Sequence, residues 1–319
     1  MKKILLSASV ILMLFACQNE ATDATAPTTS AIARRGCASQ EVLAEQLAAD
    51  PTLAIRMNQI EAFTQKAQLS NSRLVNGKIV IPVVVNVLYK TAAENISDAQ
   101  IQSQIAVLNK DFTATNSDFG SVPALFSGVA ANVDITFELV SIIRKSTTKT
   151  SWGTRDAMKK SKQGGINPTS PATTLNLWVC TIGGGILGYA QFPGGSSATD
   201  GVVCDSKYVG VTSNSGSAYP YNLGRTASHE VGHWMNLRHI WGDATCGSDL
   251  VSDTPTHNTA NYGVPVYPHL STCPGTPVEM TMNYMDYTDD RGMYMFTLGQ
   301  KSRMSALFVS GGARAGFGI

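Results

Sequence analysis

An excess of charge of either sign is nearly absent from this sequence: 24 Lys and Arg stand against 23 Asp and Glu in 319 residues, a formal net charge of +1. No basic excess remains to follow a nucleic-acid backbone or to hold an anionic membrane surface, which excludes both as partners of the folded chain. Charged residues are scarce altogether, at 15%, whereas glycine is plentiful at 28 residues. That balance suits a loop-rich extracellular fold better than a helical cytosolic one. Long apolar runs are also missing beyond the N-terminus. There, Lys2 and Lys3 precede an apolar stretch from Ile4 to Phe15. It is too short to span a bilayer and has the layout of an export signal over residues 1–17. The length allows one large domain or two modest ones.

The signal ends in Leu14-Phe15-Ala16-Cys17, which is similar to a bacterial lipobox. Lipidation of Cys17 would anchor the protein to the bacterial cell envelope; ordinary cleavage would release it as a secreted protein. Six cysteines are present. With Cys17 lipidated and Cys37 in a removable segment, four remain, an even number suited to an oxidising compartment. Cys246 and Cys273 would close a loop just past the histidine-rich stretch at 229–239, stabilising the fold by roughly 3–4 kcal/mol. Cys180 with Cys204 then follows by elimination, the other reading being two buried free thiols.

Residues 18–35 are Thr-, Ala- and Ser-rich and read as a flexible tether. From Ser39 the pattern is helical, and Asp50-Pro51 reads as an N-cap with proline in the first turn of a second helix running to about Gln68. Ser70 to Arg73 and Asn76-Gly77 mark a polar break. Residues 36–75 are therefore expected to be a helical pro-segment cut at that break, and residues 76–319 the catalytic domain. Lys78 to Tyr89 is a β-branched strand. Ser97 and Gln100 form a capping box, stapled by Ile96 and Ile101. Strands follow at Val133–Leu139, Leu175–Cys180 and Gly201–Cys204, with an edge-like, glycine-hinged run from Gly185 to Phe192. A motif helix, a loop-rich tail and a final helix from Thr297 to about Val309 complete the chain. This order predicts an α/β half with a twisted mixed sheet and an irregular C-terminal half.

The chemistry is concentrated in His229-Glu230-Val231-Gly232-His233-Trp234-Met235-Asn236-Leu237-Arg238-His239. His229 and His233 share one helix face, about 6 Å apart at Cβ, a spacing that suits two imidazoles on one tetrahedral zinc ion. Glu230 stands beside the first ligand as general base. His239 lies too far along one helix to converge, so the helix must break at Asn236, a residue type that tolerates the left-handed conformation.

HEVGHWMNLRHIWGD together with NYMDY (283–287) resembles the pappalysin/cytophagalysin family of metzincins, as do LNLWVC, GILGYAQFPGG, the Asp253-Thr254-Pro255 turn and FTLGQKSRM (296–304). The resemblance spans residues 78–310. The family pattern has glycine where Asn236 stands. By that resemblance Met285 forms a tight turn beneath the zinc, and Tyr287 ligates or hydrogen-bonds near the metal and stabilises the tetrahedral intermediate. It also implies a structural calcium ion, with Asp253 and Thr254 beside Asp249 as donors or as a plain solvated loop. Val264 and Gly292 occupy the positions of a second family disulfide.

The expected activity is zinc-dependent endopeptidase action on proteins or peptides, by a monomer made as a latent zymogen. Cys37, in Arg34-Arg35-Gly36-Cys37, resembles a cysteine switch that ligates zinc in the latent form; a spare thiol and a dimerising disulfide are the alternatives. Asp286, Asp289 and Asp290 cluster near where the resemblance places the family's primary specificity pocket, which implies a preference for Arg or Lys after the scissile bond. A thermolysin-like zincin lacks a suitable third ligand, since Glu279 is the only glutamate after Glu230. A non-catalytic zinc-bearing surface lipoprotein would not require Glu230.

Overall fold

The near-continuous apolar run from Ile79 to Tyr89 can bury both faces of a strand, which is what the interior of a parallel sheet demands. In chain order the strands are β1 (Ile79–Tyr89), β2 (Ala130–Ala131), β3 (Ile135–Ser146), β4 (Leu175–Cys180), β5 (Gly188–Ala190), β6 (Val202–Asp205) and β7 (Phe296–Thr297). The main sheet has the order β3-β1-β4-β6-β5; all its neighbours run parallel except β5, which pairs antiparallel with β6 at the edge. Pro82 sits in β1 just before Val83, the first residue paired with β4, so its missing N–H takes no bond from that ladder. The small β2–β7 pair ties the tail back to the first half.

The computed structural model describes residues 34–69, 79–213 and 216–317. The export signal, Cys17, the tether up to residue 33 and the polar break at residues 70–78 lie outside the described residues. Arg34 and Arg35, which composition assigns to the tether, belong to the compact unit Arg34–Ile319, and Arg35 is only 3% exposed. Composition could not see the ion pair that draws Arg35 inward.

The helices are α1 (Ser39–Ala49), α2 (Thr52–Leu69), α3 (Asp98–Phe112), α4 (Ala124–Ser127), α5 (Arg225–Trp234) and α6 (Leu298–Ser305). Ser97 caps α3 by accepting from the Gln100 N–H, but the Gln100 side chain donates to the Val209 carbonyl, so the expected capping box is half formed. A complete box stands at α6, between Thr297 and Gln300. That helix ends at Ser305, short of Val309, and the chain continues in turns. α3 and α5 cover one sheet face through Ile101, Ile105, Leu108, Val231 and Trp234. α1 leans on β5 and α2 on α6.

The expected Cys180–Cys204 disulfide is corrected by register. Val179 stands opposite Cys204 and Cys180 opposite Asp205. Successive residues face opposite ways, so Cys180 packs with Trp178 and Tyr189 on one face and Cys204 with Val179 and Val231 on the other. Both are buried free thiols. Cys246 and Cys273 are joined.

Candidate active site

α5 is buried along its whole length. Arg225 in its first turn is held by Asp118, with Nη2 donating to Oδ1 at 2.7 Å. At the other end Asn236 takes φ 68°. The Asn236 N–H donates to the His233 carbonyl and the Leu237 N–H to the Gly232 carbonyl, both at 2.9 Å. This is a Schellman closure built on asparagine in place of glycine. The chain reverses there and brings His239 back toward His229 and His233. Gly232 is needed for a second reason: a Cβ at that position would lie 2.5 Å from the Met285 sulfur, which packs directly beneath the helix.

Each imidazole is oriented through Nδ1. His229 faces the Tyr284 carbonyl at 2.7 Å, His233 the Leu237 carbonyl at 2.8 Å and His239 the Asp243 carboxylate at 2.5 Å. An acceptor at Nδ1 fixes the ring proton there and leaves Nε2 as a lone pair. The Nε2 of His233 is 3.1 Å from that of His229 and 3.1 Å from that of His239. Burial holds His229 and His233 neutral, well below the usual histidine range. Three lone pairs so close repel unless a cation lies among them. With the Cys37 sulfur, all four ligand atoms fall within 4.8 Å of one another. Three imidazole nitrogens and one sulfur in a closed, buried cage fit a tetrahedral zinc ion.

Glu230 lies beside this cage. Burial pushes its carboxyl up to about 7, and it accepts from the Cys37 thiol at 3.3 Å and the Ser39 hydroxyl at 2.9 Å. Ser39 also accepts the Ala190 N–H of β5 at 2.8 Å. The segment before α1 lies along the sheet edge: the Leu187 N–H donates to Gly36 and the Ala38 N–H to Gly188. β5 must approach closely here, since a Cβ on Gly188 would lie 2.9 Å from Glu230 Cγ. The Tyr287 phenol donates to the Cys37 carbonyl at 3.2 Å, and its ring borders His229, His239 and Trp241. Burial raises that phenol's pKa, keeping it a donor.

Farther along the segment, the Arg35 guanidinium enters a pocket. It donates to Asp290 Oδ1 at 2.5 Å and the Thr288 carbonyl at 3.2 Å, and lies over the Tyr221 ring. Asp290 is fixed for this by its other oxygen, which accepts the N–H groups of Leu223 and Arg225 at the start of α5. Of the three aspartates read from the sequence, only Asp290 receives Arg35. Asp286 is turned away and binds Asn261 and the Tyr287 N–H.

The expected calcium donors separate. Asp253 accepts from Thr297 Oγ1 and the Gly299 N–H and thereby pins the start of α6. Thr254 Oγ1 instead lies within 3.0 Å of both Asp249 carboxylate oxygens and of the Val251 carbonyl. One hydroxyl proton cannot serve three acceptors, and such an oxygen cluster fits a hard cation. Burial pushes the Asp249 carboxyl up to about 6.

Sequence reading missed Asp243, Ser39 and the docking of Arg35 on Asp290. A carboxylate four residues after the third histidine was the available signal for Asp243. Ser39 and the Asp290 partner are apposed only by folding.

Similarity to known proteins agrees with this geometry. The Peptidase_M43 family model (Pregnancy-associated plasma protein-A) matches residues 180–309. Extracellular metalloprotease 1 of Coccidioides posadasii is 35% identical over 223 residues, covering 67% of this chain and 70% of that protein. An extracellular metalloprotease of Pyricularia oryzae is 36% identical over 234 residues, covering 71% and 72%. Among solved structures, a mutant of Tannerella forsythia promirolysin superposes with a TM-score of 0.80 at 40% identity, covering 89% of this chain and 97% of that one. Mature mirolysin in complex with a cleaved peptide gives 0.73 at 44% identity, covering 76% and 96%. The α/β fold, the histidine-lined cage and these relatives together make the chain a member of the pappalysin (Peptidase_M43) family of metzincin metalloproteases.

Proposed function

We propose that this protease is an exported zinc endopeptidase, held latent by its own residues 36–75 together with Arg35, and selective for arginine or lysine after the scissile bond. The observation that carries the reading is the convergence of three Nε2 atoms, the Cys37 sulfur and the Glu230 carboxyl in one buried site. His229, His233 and His239 would hold zinc, with Cys37 as fourth ligand of the latent form. Bound zinc supplies Lewis acidity, lowering the pKa of water and polarising the scissile carbonyl.

The remaining work falls to the chain itself. Glu230 takes the proton of the attacking water and returns it to the leaving amine. Tyr287, once its bond to the Cys37 carbonyl is released, donates to the developing oxyanion. The backbone groups of Leu187 and Gly188 that now bond the pro-segment become free, once it leaves, to align an extended substrate by strand addition. Recognition through backbone needs neither end of the substrate, which is the requirement for an endopeptidase. Asp290 supports the basic preference, because a guanidinium of the same chain already occupies its free oxygen. The N-terminal signal and the relatives named extracellular support export, either anchored at Cys17 or secreted. Calcium would be held by Asp249, Thr254 and the Val251 carbonyl, as a structural ion.

The test is zinc content and casein cleavage of wild type and Glu230→Ala after pro-segment removal. The variant should keep its zinc and lose activity by about 100-fold or more. Equal activity would overturn the mechanism.

A further inference from the structure

The residue before Arg35 also has a seat. Cys37 reaches the histidine cage, Arg35 the Asp290 pocket, and Arg34, one residue farther out, sets its guanidinium 5.1 Å over the Tyr262 ring. Tyr262 belongs to the cleft wall, since its ring meets Tyr287 at 5.9 Å. It is also held in place from both sides. Asn261 is bound through its N–H and side-chain amide to Asp286 and Glu279, and the Gly263 carbonyl accepts the Asp289 N–H at 2.8 Å. A tyrosine that stays 41% exposed even in the presence of Arg34, on a fixed loop, offers its ring as a ready cation-binding surface.

We infer that Tyr262 forms a second cation subsite, next outward from the Asp290 pocket, and that it selects arginine at the second position after the scissile bond. The inference rests on the reading of the Asp290 pocket given above. Arginine is favoured over lysine because a planar guanidinium stacks on a ring while an ammonium keeps its water. The enzyme would thus prefer peptides with paired basic residues, the second arginine contributing less than the first. The first is enclosed and ion-paired, whereas the second rests on a half-open ring.

The experiment compares kcat/KM of the mature enzyme for four peptides carrying Arg-Arg, Arg-Ala, Ala-Arg or Ala-Ala after the scissile bond. Wild type, Tyr262→Phe and Tyr262→Ala are each read as ratios within one enzyme. Wild type and Tyr262→Phe should favour Arg-Arg over Arg-Ala by about two- to fivefold, and Tyr262→Ala should show a ratio near one. A ratio near one in wild type, or an unchanged preference in Tyr262→Ala, overturns the subsite. The first position reports separately: if Arg-Ala is cleaved no better than Ala-Ala, the Asp290 reading fails and the subsite built on it fails too. Retention of that first preference beside a flat second position removes the Tyr262 subsite alone.

Discussion

His239 lies flat on Trp241, with ring centroids 4.3 Å apart and planes 6° from parallel, while Asp243 fixes its Nδ1. The other two histidines face backbone carbonyls, which carry no net charge. Among the described residues, Asp243 is therefore the one carboxylate placed at a ligand's Nδ1 to raise its electron density. It also sits at φ 58°, a conformation asparagine shares without strain. Asp243→Asn should thus weaken zinc binding about tenfold with little change in fold, measured by competition with a chromophoric chelator. Wild-type affinity in the variant would reduce Asp243 to a surface contact. The histidines were readable in the sequence because helical spacing is periodic and because Asn236 is a residue type that can reverse a helix. Ser39 and Asp290 were not readable as partners: each meets its counterpart across about 190 to 255 residues of chain, a separation no local pattern encodes.

At the scale of elements, α2 anchors the pro-segment on the far side of the catalytic turn. Glu61 forms a two-pronged ion pair with Arg303 at 2.9 and 2.6 Å, and Arg303 Nε donates to the Asn236 carbonyl at 2.8 Å. Arg303 is buried and Glu61 partly exposed, so the pair contributes about 1–2 kcal/mol to holding α2 down. Glu61→Gln should speed loss of latency about five- to thirtyfold, followed as activity against time under a fixed dose of activating protease. The final activity should be unchanged. Identical activation rates would show that α2 is held by its apolar contacts alone. A second prediction belongs to the loop between Gly263 and Gly292. A Cβ on Gly292 would lie 3.2 Å from Val264 Cγ2, so the two positions expected from the resemblance to be a lost bridge are indeed neighbours. Paired Val264→Cys and Gly292→Cys substitutions should close a disulfide and add roughly 3 kcal/mol, seen as protection from alkylation and a raised Tm. Two more alkylatable thiols than in wild type would contradict it. The strands were readable from their apolar runs, yet the sequence could not tell which face each strand turned inward. That ignorance is why counting cysteines paired Cys180 with Cys204, and register separated them.

Across the whole molecule, Arg34 to Leu69 runs from the Asp290 pocket, past the cage, along the sheet edge and down to α6. Four of these stops engage groups the proposed mechanism uses, namely Asp290, the metal position, Glu230 and the β5 backbone, and at the last Glu61 pairs with Arg303, which holds the carbonyl of the turn at Asn236. Latency in this account is therefore a set of simultaneous occupations made by one continuous segment. Removing the segment returns all of them together. The fold class and the division into sheet half and irregular half were visible in the order of elements. The depth to which the segment is buried was not, because its composition alone is unremarkable. The most direct test of the central claim is zinc K-edge X-ray absorption on the intact protein and on the protein freed of its pro-segment. The intact form should show one zinc ion with three nitrogen ligands and one sulfur, and the processed form should keep the nitrogens and exchange the sulfur for oxygen. An intact form without a sulfur ligand, or one that binds no zinc, would contradict the account.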